Sequence, residues 1–321
     1  MALMRITAIW VYLFVCLGYT QSSPITIQLS GDYPISGVIG IDLNIMAKKV
    51  SSDETTVPTT EKYDPDVCGI TAASRIIGGK EVDPHQYPWT AAILVKGKRG
   101  VWCGASVLKR QYVLTAAHCL IKNQTFRFEK CQAKIRLGAH LVNAEKDPEQ
   151  ESRDFEVDEW KPHKGYDYYT KENDIALIKL KTPIVYGDSI RPICLPEKGE
   201  QVEPDQPITA VGWGTTTWGS NTTNNSEELL GVDLETWSFE KCRDAFPEGK
   251  ITESMFCAFN RGKDTCSGDS GGPAMMRAKS KQWNIVGVTS WGFGCAQRYP
   301  GVYARVSNYI DWIEKSMENL N

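Results

Sequence analysis

The sequence lacks a surplus of charge of one sign, and beyond its first residues it lacks a long apolar run. Its 321 residues include 36 basic and 39 acidic side chains, which leave a net charge of −3. Because the two signs are interspersed, nothing favours nucleic acid or a membrane surface as a partner. No later stretch approaches the roughly 18 apolar residues of a membrane-spanning helix. The sequence also has no internal repeats and no heptads, which excludes solenoids and coiled coils.

The N-terminus carries the one marked apolar run. Arg5 is followed by a run from Ile6 to Leu17, which is too short to span a bilayer comfortably and is typical of a secretory signal peptide. The small residues Cys16 and Gly18 predict cleavage after Gly18. Residues 1–18 are therefore predicted to be a signal peptide of a secreted, extracellular protein, and an N-terminal membrane anchor is the alternative.

Cysteine, by contrast, is abundant. The chain has ten cysteines, and removal of Cys16 with the signal peptide leaves nine. In a secreted chain these predict a disulfide framework, and the odd number leaves one cysteine free or bonded to another molecule. Three sequons, at Asn123, Asn221 and Asn224, are predicted glycosylation sites in the same compartment.

The residue pattern of the chain changes at Ile76. Residues 50–66 are polar and contain proline, so they are predicted to form a linker. The residues before this linker show some apolar alternation, which leaves open whether a strand or two forms there. From Ile76 onward, short runs rich in Val, Ile, Trp and Tyr alternate with turn residues, a pattern typical of an all-β sandwich or barrel. At the end, apolar residues recur near helical spacing and predict a packed amphipathic helix: Tyr309, Ile310, Trp312, Ile313 and Met317.

Histidine is scarce, and one of the four has a chemical context. The stretch LTAAHCL places His118 after an apolar run and directly before Cys119, where a disulfide would restrain it. An imidazole can take up a proton and return it near neutral pH. The other three histidines are interpreted as surface or structural residues: His85, His140 and His163.

Two further stretches stand out for their chemistry. NDIALIKL places Asp174 at the entry of an apolar strand, where a carboxylate is costly unless it accepts hydrogen bonds or pairs with a cation. DTCSGDSGGP places Ser270 in a glycine-rich loop that can aim backbone N–H groups at one point. An ordinary turn is the alternative interpretation of each stretch by itself.

Taken in this order, the motifs resemble the chymotrypsin family of serine proteases. The resemblance covers about residues 68–321 and is carried by TAAHC, DIALIKL, CSGDSGGP, VTSWG and PGVY, with RIIGGKEV upstream. It implies an all-β fold of two six-stranded antiparallel barrels with a C-terminal α-helix, and a peptidase domain over residues 76–321. It also implies a serine endopeptidase that needs no cofactor and no metal.

The resemblance assigns the catalytic roles. Ser270 is the implied nucleophile, His118 the general base and then the general acid, and Asp174 the group that orients the imidazole. The backbone N–H groups of Gly268 and Ser270 are the implied oxyanion hole. A non-catalytic homologue that binds a partner through the same fold is the alternative, although such proteins usually lack one of these residues.

The resemblance also implies the bond that is cut. Asp264 lies six residues before Ser270, at the implied base of the primary specificity (S1) pocket, where an acid selects Arg or Lys. Thr265 stands beside it. The implied pocket walls include Ser290, Gly292 and Gly301, and the two glycines leave room for a long side chain. A simple loop acid is the alternative for Asp264.

An activation site is implied by SRIIGGKEV. Cleavage between Arg75 and Ile76 frees an amine that pairs with Asp269, which orders the oxyanion hole. The uncut chain is therefore expected to be an inactive zymogen, activated by a trypsin-like protease or by itself. Residues 19–75 are the expected propeptide, retained as a light chain through Cys68. Expected partners are peptides with Arg or Lys at the cleaved bond, the activator, and protein protease inhibitors.

Disulfide pairs follow from the same resemblance. The implied pairs are Cys68–Cys194, Cys103–Cys119, Cys242–Cys257 and Cys266–Cys295. Cys131 is left over and is expected to be a free thiol or to join another chain. Whether the enzyme serves a regulatory cascade, a venom or digestion is left open by these motifs.

Overall fold

The computed structural model describes residues 66–71, 82–143, 152–215, 225–246, 251–261, 265–266, 268–294 and 299–320. The chain divides into two units, Met1–Tyr63 and Asp64–Asn321, and the described residues all belong to the second. Several predictions fall outside them: the signal peptide, the boundaries at 18 and 75, Arg75, Ile76, Asn221, Asn224, Asp264 and Cys295.

Short strands dominate the described residues, as the alternation of β-branched and turn residues predicts. The first eight are β1 (Thr90–Val95), β2 (Cys103–Lys109), β3 (Tyr112–Thr115), β4 (Ile121–Lys122), β5 (Thr125–Phe126), β6 (Ala133–Leu137), β7 (Arg153–Pro162) and β8 (Ala176–Leu180). The next six are β9 (Pro207–Gly212), β10 (Leu230–Thr236), β11 (Met255–Phe259), β12 (Pro273–Arg277), β13 (Trp283–Trp291) and β14 (Gly301–Arg305).

Twelve of these strands close into two antiparallel barrels of six. The first barrel has the order β1-β2-β3-β8-β7-β6 and the second β10-β11-β14-β13-β12-β9, while β4 and β5 form a separate hairpin. Full closure leaves no unpaired strand edge exposed in either barrel. The fold class expected from the resemblance is confirmed.

Helices are few and short in the described residues. They are α1 (Ala117–Leu120), α2 (Phe239–Ala245) and α3 (Ile310–Asn319), with 3-10 turns at Lys130–Gln132 and Val306–Tyr309. The predicted C-terminal helix is present as α3, and its buried Ile313 and Met317 face the first barrel. There the Tyr112 hydroxyl donates to the carbonyl oxygen of Met317 at 2.9 Å. None of the described helices is long and apolar enough to cross a membrane.

The core continues from one barrel into the other. Trp89 and Trp213 are fully buried, and the Trp89 indole N–H lies 2.9 Å from the sulfur of Met275 in β12. At the seam, Gly104 of β2 packs so closely that a Cβ on it would lie 2.8 Å from Gly272 Cα. Position 104 therefore has no room for a side chain, because β2 and the loop that contains Gly272 meet there beside the predicted site.

Candidate active site

Strand pairing brings the histidine and the aspartate together. His118 lies in α1, directly after β3, and Asp174 lies directly before β8. Because β3 and β8 are antiparallel neighbours, with Thr115 opposite Ala176, the two residues meet at one end of the first barrel. His118 Nδ1 is 2.7 Å from Asp174 Oδ2, and the His118 backbone N–H donates to Asp174 Oδ1 at 2.8 Å.

Asp174 is a fully buried carboxylate held by donors. Its side chain has 0% exposure and that of His118 15%. The hydroxyl of Ser290 also donates to Asp174 Oδ2, at 2.5 Å. Burial by itself raises the pKa of Asp174, but the charge and hydrogen bond of His118 and the Ser290 hydroxyl hold that pKa below its usual value. The carboxylate is thus held against the imidazole by hydrogen bonds, unlike that of an ordinary turn acid.

The loop around Ser270 has a backbone that only glycine permits. Gly268 has φ +105°, and a Cβ on it would lie 3.0 Å from Gly214 Cα. Gly271 has φ +80°, and its Cβ would lie 2.2 Å from the Thr115 hydroxyl oxygen. A side chain on Gly271 would push the loop away from the first barrel, and a side chain on Gly268 would push it away from the segment that follows β9.

Two backbone N–H groups in this loop have no acceptor among the described residues. They belong to Gly268 and Ser270, whereas the N–H of Asp269 donates to Cys266 O at 3.0 Å and that of Gly271 to Thr289 O at 2.8 Å. Unused donors two residues apart, in a loop that is otherwise hydrogen-bonded, are what an oxyanion site requires.

Ser270 lies beside His118 without a hydrogen bond between their side chains. The carbonyl oxygen of Ser270 accepts from the Gly104 N–H at 2.8 Å and lies 3.6 Å from Cys119 Sγ, which is 3.9 Å from His118 Nε2. The Ser270 hydroxyl makes no hydrogen bond to any described residue. Such bonds are often long in ligand-free sites and tighten when substrate binds.

Asp269 turns its carboxylate inward, towards the backbone of Gly214 and Cys266. Although the residue keeps partial exposure, its two oxygens accept from the Gly214 N–H at 2.7 Å and the Cys266 N–H at 2.8 Å. Burial raises the pKa of Asp269 to about 6, and the two hydrogen bonds offset only part of that effect. No cation among the described residues pairs with this carboxylate.

The predicted pocket walls face each other across two neighbouring strands. Gly292 follows β13 and Gly301 begins β14, and a Cβ on Gly292 would lie 3.8 Å from Gly301 Cα. Ser290 is buried, and the hydroxyl of Thr265 lies 3.2 Å from that of Tyr303. Asp264 itself lies outside the described residues.

Three of the four implied disulfides are confirmed: Cys68–Cys194, Cys103–Cys119 and Cys242–Cys257. Cys266 is disulfide-bonded to a partner outside the described residues, so its pairing with Cys295 stays a prediction. The expectation that Cys131 is left over is wrong for the intact chain. Cys131 is also disulfide-bonded, with its partner outside the described residues. The odd count arose from removing Cys16, and the intact chain has an even ten.

Metal ligation is excluded at the histidine by its neighbours. The ligand atoms of Cys103, His118 and Cys119 lie within 4.8 Å of one another, which by distance alone would suit a metal ion. Both sulfurs belong to one disulfide and cannot act as thiolate ligands.

Of the predicted glycosylation sites, Asn123 is the one that the structure describes. It is exposed and has φ +48°, a conformation that asparagine tolerates better than most residues. It lies between β4 and β5, at the turn of their hairpin, so the sequon is accessible.

Sequence reasoning missed three contributors to this site. Ser290 was interpreted only as a pocket wall, because nothing in VTSWG signals a hydroxyl bonded to a carboxylate 116 positions away. Arg127 and Lys171 were not singled out, since isolated cations on a mixed-charge surface carry no signal. Each is recognisable only once the fold has placed it beside His118 or Asp174.

Comparison with known proteins places the chain in a family. The sequence profile of the Trypsin family matches residues 76–313. The proclotting enzyme of Tachypleus tridentatus is 36% identical over 265 residues, which cover 79% of this chain and 69% of that protein. The clotting factor G beta subunit of the same species is 33% identical over 291 residues, which cover 86% and 91%. The protein thus belongs to the trypsin family and is a trypsin-like serine protease.

Proposed function

We propose that the protein is a secreted serine endopeptidase, made as a zymogen, that cleaves peptide bonds after Arg or Lys. The observation that carries the proposal is the fully buried Asp174 carboxylate, which accepts from the His118 backbone N–H and lies 2.7 Å from His118 Nδ1. Burying such a pair costs free energy and contributes little to the stability of the fold, but the pair fixes an imidazole for proton transfer.

The proposed chemistry assigns one act to each group. The Ser270 hydroxyl oxygen attacks the scissile carbonyl carbon while its proton passes to His118 Nε2. The carbonyl oxygen becomes an anion and accepts from the unused N–H groups of Gly268 and Ser270. His118 then gives its proton to the leaving amine, and water repeats the sequence to release the acyl group. Asp174 stays ionised and stabilises the charged imidazole.

Substrate choice is assigned to Asp264. An acid at the base of a narrow pocket selects a cationic side chain, and arginine gains most because it pairs with a carboxylate through two hydrogen bonds. The absence of side chains at Gly292 and Gly301, whose backbones face each other, supports a pocket that admits a long side chain.

Activation is proposed to follow cleavage between Arg75 and Ile76 by a trypsin-like protease. The inward carboxylate of Asp269, which has no cationic partner among the described residues, supports the arrival of a new ammonium group there. One relative carries the name proclotting enzyme, which fits a precursor. We extend to this chain a role in extracellular proteolysis with protein substrates and protein inhibitors.

The test is covalent labelling. The protein is cleaved at Arg75 and exposed to a fluorophosphonate, which reacts with an activated serine, beside the uncut protein and Ser270→Ala. We expect labelling of the cleaved protein alone and hydrolysis of arginyl peptides by the same preparation. Cleaved protein that neither labels nor hydrolyses them, while still binding a partner protein, would identify a non-catalytic homologue.

A further inference from the structure

Two cations flank the His118–Asp174 pair. Arg127 Nε donates to the carbonyl oxygen of His118 at 2.8 Å, and its guanidinium lies 5.7 Å from the centre of the Trp102 ring. Lys171 precedes Asp174 by three residues, and its ammonium is near enough to interact electrostatically with both Asp174 and Arg127. Two positive groups therefore lie close to the catalytic pair despite their mutual repulsion.

Neither cation makes an ion pair among the described residues. The Lys171 ammonium donates to Tyr168 O at 2.7 Å and lies 4.1 Å from the centre of the Tyr168 ring, while the carboxylates of Asp167 and Asp174 attract it without forming an ion pair. Other cations on the same barrel are neutralised: Lys130 by Glu159, Arg136 by Asp154 and Lys181 by Glu156. The two cations beside the catalytic pair thus lack the direct carboxylate contact that these other cations have.

Lys171 is held in place by its loop. It has φ +61° and Asn173 has φ +55°, left-handed conformations that are unfavourable for a lysine and better tolerated by an asparagine. The loop is fixed by hydrogen bonds from the Tyr169 and Thr170 N–H groups to one Asp167 oxygen, each 2.8 Å. Strained positions persist where the surrounding structure enforces them, and they concentrate at functional sites.

Burial adds to the effect of that placement. Lys171 is half-buried, and desolvation lowers its pKa, although the Asp174 carboxylate opposes the shift. An ammonium that has lost part of its water gains more from a carboxylate than a fully hydrated one does. Arg127 is exposed, so its guanidinium is accessible from solvent.

We propose that Lys171 and Arg127 form a cationic rim that selects substrates carrying an acidic side chain close to the cleaved bond. This inference rests on the proposed endopeptidase function. The preferred sequence then combines two charges of opposite sign, a cation for the pocket at Asp264 and an anion for the rim. The matching partner class is an acidic segment that contains one arginine or lysine.

The experiment uses cleaved, active protein and pairs of fluorogenic arginyl peptides. Each pair differs by Asp against Asn at one position, scanned over the residues on either side of the arginine. We expect kcat/KM to favour Asp by about tenfold at one or more positions, since a charge-assisted hydrogen bond contributes about that much. The preference should shrink between about 0.05 and 0.5 M salt, because ions screen partly exposed charges.

Variants assign the preference to the rim. In Lys171→Met the Asp-to-Asn ratio should fall to about 1–2, in Lys171→Arg it should persist, and in Arg127→Gln it should fall part of the way. Lys315→Met is the matched control, because Lys315 is exposed on α3, and there the ratio should equal that of the parent. A cation that only steadied its loop would change kcat/KM for both peptides of a pair together.

The outcomes separate the rim from the protease. A ratio of 1 or less at every position in the parent protein overturns the rim while arginyl peptides are still cleaved. The same conclusion follows if the ratio survives in Lys171→Met combined with Arg127→Gln. Cleaved protein that neither labels with fluorophosphonate nor cuts any arginyl peptide overturns the proposed function instead.

Discussion

At the residue scale, the site depends on the negative charge of Asp174, which burial destabilises and hydrogen-bond donors stabilise. Asp174 has no exposed surface, so its ionised form depends on donors from three groups: the His118 ring, the His118 backbone and the Ser290 hydroxyl. A hydrogen bond to a charged group contributes about 1.5–3 kcal/mol. The removal of any one donor should therefore be visible in the rate.

The first prediction concerns Ser290→Ala. Loss of this hydroxyl raises the pKa of Asp174, so the acid limb of the pH–rate profile should move to higher pH and kcat/KM should fall about 10- to 100-fold. Steady-state kinetics over a pH series measure both effects. Ser307→Ala is the control, since that buried hydroxyl donates to Glu200 O. An unmoved acid limb in Ser290→Ala would contradict the role given to the hydroxyl.

The second prediction concerns Asp264→Ser. Without the acid, an arginyl or lysyl side chain enters the pocket with no counter-charge, and kcat/KM on such peptides should drop more than about 100-fold. Fluorophosphonate labelling of Ser270 should survive, because the nucleophile is intact. Asp244→Ser removes an exposed acid on α2 and should change neither measurement. Unchanged kinetics on an arginyl amide would refute the pocket assignment.

At the element scale, strand pairing decides which residues meet. The His118 and Asp174 motifs stand 56 positions apart, and the β3–β8 register places them side by side. Likewise, β13 carries Ser290 to Asp174 from the other barrel. A loop then presents Ser270, and its glycines adopt the conformations that the backbone needs there.

Particular residues show how far the sequence predicts this arrangement. The fold class was predictable from three features: the short apolar runs between turn residues, the helical spacing near Ile310–Asn319 and the order of the motifs. The first two are local patterns, and the third matches a known family. Contacts such as Ser290 with Asp174 were not predictable, since a hydroxyl in VTSWG has the same local pattern whether or not an acid faces it. The disulfide of Cys131 was missed because a count of nine cysteines leaves one without a partner.

The third prediction tests the loop. In Gly268→Ala, a Cβ would lie 3.0 Å from Gly214 Cα at a φ of +105°, so the loop must shift and the two N–H donors lose their common aim. We expect kcat to fall about 100- to 1,000-fold with KM changed much less. Gly187→Ala is the matched control, because no atom lies within 4 Å of the added Cβ. Equal activity of the two variants would show that these donors are not used.

At the scale of the whole molecule, the inward carboxylate of Asp269 would connect the proposed activation with stability. The pKa of this group is raised from 3.8 to about 6 in the uncut chain. Between those values the folded chain binds more protons than the unfolded chain, so the contribution of Asp269 to stability is lost as the pH rises from about 4 to about 6. A new ammonium group beside the carboxylate would lower the pKa of Asp269, so that its contribution to stability would increase as the pH rises.

The fourth prediction follows from this linkage. The free energy of unfolding of the uncut protein should fall relative to Asp269→Asn by about 1–2 kcal/mol as the pH rises from 4 to 6, allowing for partial exposure. Chemical denaturation at fixed pH values measures the difference. After cleavage at Arg75 the parent protein should gain stability over that interval. If the free energy of unfolding varied with pH in the same way in the parent and in Asp269→Asn, both before and after cleavage, the role given to Asp269 would be contradicted.

The division of the catalytic groups between the barrels has a mechanical consequence. His118 and Asp174 are hydrogen-bonded to each other at the end of the first barrel. Ser270, the proposed nucleophile, lies in a loop of the second barrel, across the Gly104–Gly272 seam. A small slide along that seam would change the distance between the Ser270 hydroxyl and the His118 imidazole, and it would also move Ser290, which donates to Asp174 from the second barrel. Any molecule that contacts both barrels, including a substrate bound across them, would therefore change the spacing of the proposed catalytic groups.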